Sequence, residues 1–275
     1  MGDEGAMSRR WYGRVWSNAR FVVAHLALNL QAAMEYRASF ISQIVGMMLN
    51  DAIWIFFWFV FFARFKVVKG WEFSDVIMLW AVLTVAYGIA TGIFGNALRL
   101  SKIIAEGGLD FFLGLPRDVL LSVLVARLNI SALGDLLFGL ILFVFAGTLT
   151  LGGVALFFLV CILAGSVIVS WFVLVNSLAF FMGSSENLSM QMLNALLSFA
   201  TYPFPIFSGP VRFLLFTLIP AAFIGYVPVM ILKGANWWFI LGLTAFAVGL
   251  GLFARFVFLW GLRRYESGNL VIVRV

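Results

Sequence analysis

The sequence predicts an all-α membrane protein with six transmembrane helices, an interfacial amphipathic helix before them and an outer re-entrant helical hairpin between helices five and six. Hydrophobic residues make up 64% of the chain and charged residues only 11%, against roughly 25% charged residues in soluble domains. A soluble protein must cover itself with polar groups, and a mean hydropathy of +1.08 does not allow that. At about 20 apolar residues per membrane crossing, the 275 residues accommodate one bundle of this kind.

The N-terminal segment has the pattern of a helix that lies on a membrane. Residues 1–8 are predicted to be disordered, and residues 9–37 form a basic amphipathic helix with tryptophan at its rim. Its apolar stripe recurs every three or four residues and consists of Trp11, Val15, Ala19, Val22, Leu26 and Leu30. Such a helix is typical of the membrane interface. The alternative is the first turn of a spanning helix, which is disfavoured by the four arginines Arg9, Arg10, Arg14 and Arg20.

Residues 38–262 are predicted to form the transmembrane domain. The apolar runs assigned as spans are 38–62, 76–97, 130–148, 154–182, 188–202 and 236–262. The loop before the fifth span places Glu186 in the first turn of that helix, where an acid is favoured by the helix dipole.

The segment 203–235 is rich in proline yet apolar enough to reach membrane depth. It holds five of the six prolines, namely Pro203, Pro205, Pro210, Pro220 and Pro228. Proline breaks a helix, and broken backbone inside a membrane needs cover from protein or water. We therefore predict two short helices, 211–219 and 221–232, that enter from the outer face and return. The alternative is a single kinked seventh span, which would place the C-terminus outside.

The distribution of basic residues predicts the orientation. One set of segments carries twelve of them: Arg9, Arg10, Arg14, Arg20, Arg37, Arg99, Lys102, Arg117, Arg127, Arg263, Arg264 and Arg274. The segments predicted on the opposite side carry five: Arg64, Lys66, Lys69, Arg212 and Lys233. Because cytoplasmic loops are enriched in Lys and Arg, both termini, the tail 263–275 and the segment 105–118 are predicted to be cytoplasmic.

No recognisable catalytic motif occurs in the sequence. It lacks a G-x-x-x-x-G-K-[ST] phosphate loop and a G-x-S-x-G elbow, and it contains a single histidine, so we predict that the chain is not an enzyme. Asp51 lies near the middle of the first span, where a charge costs on the order of 3 kcal/mol. It is either a functional residue or a structural one, protonated or paired, for example with Arg255. Asp135 lies near the cytoplasmic end of a span and is interpreted as structural.

Two stretches resemble a known family of transporters. GGLDFFLGLPRDVLLSVLVARL (107–128) resembles the G-x-L-D-x-L-L-x-x-P-x-x segment of the permease subunits of type-two ABC exporters. YPFPIFSGPVRFLLFTLIPAAFIGYVPV (202–229) resembles a bacterial subgroup of that family whose substrates are mostly unassigned. The resemblance covers nearly the whole chain and extends to the order of its predicted elements.

The resemblance implies a division of labour within a complex. Two copies of a separate ABC ATPase would bind ATP and Mg²⁺, so this chain itself would hold no cofactor. A second permease, identical or related, would complete the complex in a bacterial inner membrane. The ATPase would dock on a coupling helix, which in this chain falls on Ala105–Pro116. The alternative for this segment is an amphipathic loop that lies on lipid headgroups.

Within the coupling segment, 105–118, each residue type has a predicted part. Gly107 and Gly108 free the segment from span two and permit positive φ, and Pro116 begins the next helix at its favoured first position. Arg117 and Asp118 meet charges at the rim of the partner, and Asp110 belongs to the family motif. The apolar face predicted for the ATPase groove consists of Leu109, Phe111, Phe112 and Leu115.

The substrate pathway has few polar candidates. The candidate pathway residues are Asp51, Thr84, Tyr87, Asn194, Ser198 and Tyr202, with Thr91, Asn96 and Thr201 as further polar positions on the same spans. A route this apolar favours an amphiphilic substrate such as a drug, a hydrophobic peptide or a lipid-linked molecule. The alternatives are an ion-coupled secondary transporter or channel subunit, for which Asp51 stands almost alone, and an intramembrane enzyme, for which no nucleophile and base pair is visible.

Overall fold

The computed structural model describes residues 3–183, 185–234 and 237–266, with side chains from Trp16 onward. Within these residues the regular structure is helical, apart from one isolated β-bridge between Val68 and Trp71. The all-α prediction is therefore confirmed. The first helix begins at Asp3, inside the segment that we expected to be disordered. Most of the predicted tail, from residue 267 on, lies outside the described residues.

Fourteen α-helices are described. The first seven are α1 (Asp3–Glu35), α2 (Arg37–Arg64), α3 (Phe73–Ile93), α4 (Leu100–Ala105), α5 (Leu109–Leu113), α6 (Val119–Val125) and α7 (Ala132–Ala146). The others are α8 (Leu151–Asn176), α9 (Ala179–Met182), α10 (Glu186–Ala200), α11 (Gly209–Thr217), α12 (Ala221–Ile224), α13 (Tyr226–Leu232) and α14 (Trp237–Leu262). Short 3₁₀ helices occupy Gly95–Arg99 and Phe204–Ile206.

Four helical stretches are long and apolar enough to cross a membrane: α2, α3, α8 together with α9, and α14. The bent pair formed by α11 and α12–α13 raises this number to five if it is counted as one span. Two of the six predicted spans, α7 and α10, are only 15 residues long. At about 1.5 Å per residue each is shorter than the roughly 30 Å hydrocarbon core.

The helix α3 forms the centre of the bundle and packs against α7 on one side and α8 on another. Glycines make these contacts close. A Cβ at Gly88 of α3 would lie 2.6 Å from Cγ of Leu136, and Gly139 of α7 lies directly against Thr84. Gly134 of α7 lets the backbone of α2 approach, since a Cβ there would lie 2.6 Å from the carbonyl oxygen of Ile44. Helices α2, α3 and α7 are therefore packed at backbone distance.

Polar contacts hold each end of the bundle. At one end the buried Asn176, the last residue of α8, accepts from the backbone N–H of Ser101 at 3.0 Å and donates to the carbonyl of Ala97 at 3.1 Å. At the other end Lys233 pairs with Asp75, with 2.7 Å between Nζ and Oδ1. The proline-rich hairpin and the start of α3 therefore share one end, as the charge distribution requires.

The helix α1 packs against α2 and α6 through part of its apolar stripe. Val22, Leu26 and Leu30 of its apolar stripe are half-buried. Asn29 donates from Nδ2 to the carbonyl of Ala126, which follows α6, at 3.4 Å. The chain then leaves helical geometry at Tyr36, the residue that separates α1 from α2.

The proline-rich segment breaks where the sequence predicts. The two arms, α11 and α12–α13, meet at Pro220 and are bent by 69°. Ala221, Ala222 and Ile224 are buried, and the ring of Phe223 stacks on Phe246 of α14 with a centroid distance of 3.7 Å. The broken backbone is therefore covered by protein, which is the condition for irregular backbone at membrane depth.

Candidate functional site

The coupling segment leaves α4 at a glycine in the left-handed region. Gly107 has a φ of +76°, a conformation that only glycine adopts without strain. This confirms the predicted break. Gly108 has an ordinary φ of −67°, but a Cβ there would lie 3.1 Å from Cγ2 of Ile103. The first glycine therefore supplies the turn, and the second allows the segment to fold back on α4.

The apolar face predicted for a partner is divided between the inside and the outside of the fold. Leu109 is 0% exposed and belongs to the hydrophobic core, and Phe112 packs against the same core. Phe111 is 71% exposed, and its neighbour Leu113 is 46% exposed. In this conformation Leu109 therefore offers no surface to a partner, whereas Phe112 is partly exposed. Phe111 and Leu113, the second of which the sequence reasoning missed, form the free apolar surface of α5.

The helix after the coupling segment, α6, begins at Val119 and not at Pro116. Asp118 is the N-cap of α6, and its Oδ1 accepts from the backbone N–H of Leu121 at 3.0 Å. Its Oδ2 accepts from Nη2 of Arg255 at 2.6 Å. Two predictions are corrected here. Pro116 precedes the helix instead of starting it, and Arg255 of α14 pairs with Asp118 and not with Asp51.

The coupling segment also contacts both terminal helices. The guanidinium of Arg117 donates to the carbonyl oxygen and to Oγ of Ser17, at 3.4 and 3.3 Å, and lies 4.5 Å from the ring centre of Phe21 in α1. Just beyond the end of α14, burial and the neighbouring Asp110 raise the pKa of the Tyr265 hydroxyl to about 12. Segment 105–118 thus lies where α1, α6 and α14 meet.

The pathway candidates on α3 are not on an open surface. Thr84 and Thr91 are buried, and each hydroxyl donates to the carbonyl one turn earlier, at 2.7 and 2.9 Å. Asn96 is also buried and donates to the carbonyl of Val123 at 2.8 Å. Tyr87 is half-buried between helices. These side chains serve the packing of the bundle in this conformation.

The helix α10 has one buried face and one exposed polar face. The buried face consists of Ser189, Leu193, Leu196 and Ala200. The exposed stripe continues past the helix end and consists of Asn187, Gln191, Asn194, Ser198 and Tyr202. The ring of Tyr202 meets Trp58 of α2 edge to face at a centroid distance of 5.7 Å. The candidates Asn194, Ser198 and Tyr202 therefore share one surface, and the helical spacing identifies Asn187 and Gln191 as further members.

Asp51 and Asp135 are brought together by the close crossing of α2 and α7. Each is 2% exposed, and each has an Oδ2 without a hydrogen-bond partner among the described residues. Gly134, the neighbour of Asp135 in α7, lies against Met47, which is one turn before Asp51 in α2. The sequence placed these acids at different depths and gave no reason to associate them. The structure makes them neighbouring buried carboxyls.

A family model, described as ABC-2 family transporter protein, matches residues 37–268. The match contains α2 through α14, together with the coupling segment and the proline-rich hairpin. Neither a curated protein nor a solved structure matches the chain. The apolar candidate spans agree with the family, whose members are generally non-enzymatic membrane subunits. The chain therefore belongs to the ABC-2 transporter family and is a multi-pass membrane permease.

Proposed function

We propose that this permease forms the substrate pathway of an ATP-driven exporter and couples to a separate ATPase subunit through segment 105–118. The observation that carries the proposal is the exposed pair Phe111 and Leu113 on a segment held by the rest of the fold. Arg117 contacts α1, and Asp118 pairs with α14. A force applied to α5 would therefore reach both terminal helices.

The complex proposed around this chain has two ATPase copies and a second permease, identical or related. ATP and Mg²⁺ bind to the ATPase, and this chain holds no cofactor. An exposed polar stripe such as that of α10 is unfavourable against lipid. It supports a water-accessible route or a permease interface along Asn194 and Ser198. The apolar surroundings of this stripe favour an amphiphilic substrate, such as a drug, a peptide or a lipid-linked molecule.

The proposed topology has six spans, with α7 and α10 as short third and fifth spans and the proline-rich hairpin re-entering from the outer face of a bacterial inner membrane. The twelve-to-five distribution of basic residues supports cytoplasmic termini. Single cysteines at Val67 and Ser267, in a background lacking Cys161, test this with an impermeant maleimide in intact cells. Only position 67 should react, and labelling at position 267 would refute the topology.

The test of coupling is a charge placed on the exposed surface of α5. Phe111→Asp should leave the abundance of the permease in the membrane unchanged, because the side chain is not part of the core. It should remove the copurifying ATPase and abolish export. An unpaired charge buried in an interface costs several kcal/mol, which corresponds to about two to three decades in affinity.

The matched control is Phe65→Asp. Phe65 is also an exposed phenylalanine, at 54%, and it lies at the C-terminal end of α2, outside the coupling segment. This variant should retain the ATPase at wild-type stoichiometry. If Phe111→Asp also retains the ATPase and still exports, segment 105–118 is a loop bound to lipid headgroups and the proposed coupling is wrong.

A second candidate function is ion-coupled transport. The observation in its favour is the pair of buried carboxyls, Asp51 and Asp135, each with an oxygen that lacks a partner among the described residues. Ionisable residues inside a membrane commonly mark ion pathways. Transport by the reconstituted permease without any ATPase, driven by a proton gradient alone, would establish this function and displace the first.

A further inference from the structure

A basic cleft lies between the interfacial helix and the coupling segment. It has a volume of about 470 Å³, and its walls include Trp16, Arg20, Phe21 and Ala24 of α1 together with Arg117. Arg117 also borders a second cleft of about 790 Å³ on the side of Pro116 and Asp118. Arg117 thus lines both clefts and lies between them.

The cleft of 470 Å³ carries an excess of positive charge. Among the described residues that line it are two guanidinium groups, those of Arg20 and Arg117, and no acid. Asp118, the acid next to Arg117 in the chain, is engaged by Arg255 at 2.6 Å. The guanidinium of Arg117 is oriented by neutral groups, namely Ser17 and the ring of Phe21. Both arginines therefore retain charge available for an anion.

The chemistry of the lining matches a phosphate attached to an apolar body. A guanidinium presents paired N–H donors that match phosphate oxygens. Phe21 and Ala24 supply an apolar wall beside these donors. Trp16 is 68% exposed at the rim, and exposed tryptophan is enriched at the level of lipid headgroups. Basic pockets on the cytoplasmic side of membrane proteins bind anionic headgroups in this way.

We propose that the cleft formed by Arg20, Arg117 and the Trp16–Ala24 face of α1 is a binding site for the phosphate of an anionic phospholipid headgroup. The inference rests on the proposed function only for the orientation of the cleft toward the cytoplasmic leaflet. Because Arg117 belongs to the coupling segment, a bound lipid holds α1 and that segment together. Free inorganic phosphate has the same anionic chemistry, and the experiment separates the two.

The test uses the purified full-length permease in detergent without its ATPase, so that it does not depend on coupling. Native mass spectrometry compares retention of phosphatidylglycerol with that of phosphatidylcholine at matched concentrations. We expect about tenfold preferential retention of phosphatidylglycerol, and about a tenfold loss of it in Arg20→Gln, the size expected for one charge-assisted contact. Arg20→Lys should recover part of the loss, because the charge remains but the planar fork does not.

The controls distinguish a built site from general attraction to a basic protein. Lys66→Gln removes an exposed charge in the loop between α2 and α3 and should leave retention unchanged. Arg117→Gln should lose about as much phosphatidylglycerol as Arg20→Gln does. Arg20→Gln is the decisive variant, because Arg117 also holds the coupling segment against Ser17 of α1. Equal retention of the two lipids, or full retention in Arg20→Gln, would overturn the proposal. Displacement of phosphatidylglycerol by an equal concentration of inorganic phosphate would assign the cleft to free anions instead.

Discussion

The ion pair between Asp118 and Arg255 joins residues 137 positions apart and links the coupling segment to α14. A double-mutant cycle isolates it. Asn caps a helix about as well as Asp does, so Asp118→Asn keeps the hydrogen bond from Leu121 and removes both the charge and the oxygen that accepts from Arg255. Arg255→Gln removes the other charge, and the double variant closes the cycle.

The expected magnitude follows from the exposure of the two side chains. Asp118 is 27% exposed and Arg255 is 53% exposed, so the protein covers the pair only partly. Exposed pairs contribute about 0.2–1 kcal/mol, and the short 2.6 Å contact places this one near the upper end. Each single variant should lower the free energy of unfolding by about 1 kcal/mol. The double variant should also lose about 1 kcal/mol, because the pair can be lost only once.

The assay is reversible unfolding of the detergent-solubilised permease, followed by the loss of helical circular dichroism. Asp118→Ala serves as the reference, since it loses the cap as well and should cost about 1 kcal/mol more than Asp118→Asn. If the effects of the two single variants add in the double variant, the two residues do not interact and the link between α14 and the coupling segment is refuted.

Two further predictions concern Asp51 and Tyr265. Asp51→Leu should leave membrane insertion intact and raise the free energy of unfolding by about 1–2 kcal/mol, because it removes a buried oxygen without a partner among the described residues. The Asp51→Leu variant should impair transport. If its transport rate equals that of the wild type, Asp51 has only a structural role. The pKa of Tyr265 is raised to about 12 from about 10 in an unfolded chain. The neutral hydroxyl therefore contributes its full stabilisation of the folded state below pH 10, and this contribution is lost as the pH rises through 12. Tyr265→Phe should remove a phenolate absorbance that appears near pH 12, and a wild-type signal for this residue near pH 10 would contradict the assignment.

The positions at which helices begin, end and break were predictable, because they depend on local chemistry. Gly107 takes the positive φ that a break after α4 requires. Pro220 separates the two arms of the hairpin, and Glu186 occupies the first turn of α10. In each case one residue type has a conformational or electrostatic property that decides the local backbone. No tertiary information was needed to assign these positions.

The rotation of each helix about its own axis was not predictable. All of α5 except Asp110 is apolar, so periodicity could not show that Leu109 turns inward and Phe111 outward. Arg255 has the depth to reach Asp51 but lies on a face that meets Asp118. Thr84 is polar by composition, yet its hydroxyl is satisfied by its own helix, as serine and threonine hydroxyls commonly are. The depth of a residue in the membrane can be counted along the chain. The direction in which its side chain points depends on the helices that pack against it.

The glycine contacts of the central helix α3 set how the bundle can move. In its apolar window 72% of the residues are buried, against 11% in α2 and 17% in α14. At Gly88 and Gly139 there is no room for even a methyl group, so a sideways step of α3 against α7 would drive backbone into side chain. We therefore expect the tightly packed pair α3 and α7 to move as one unit. The helix α2 is tied to this pair as well, since Gly134 of α7 lies at backbone distance from Ile44, so a rearrangement of the bundle would have to carry α2, α3 and α7 together.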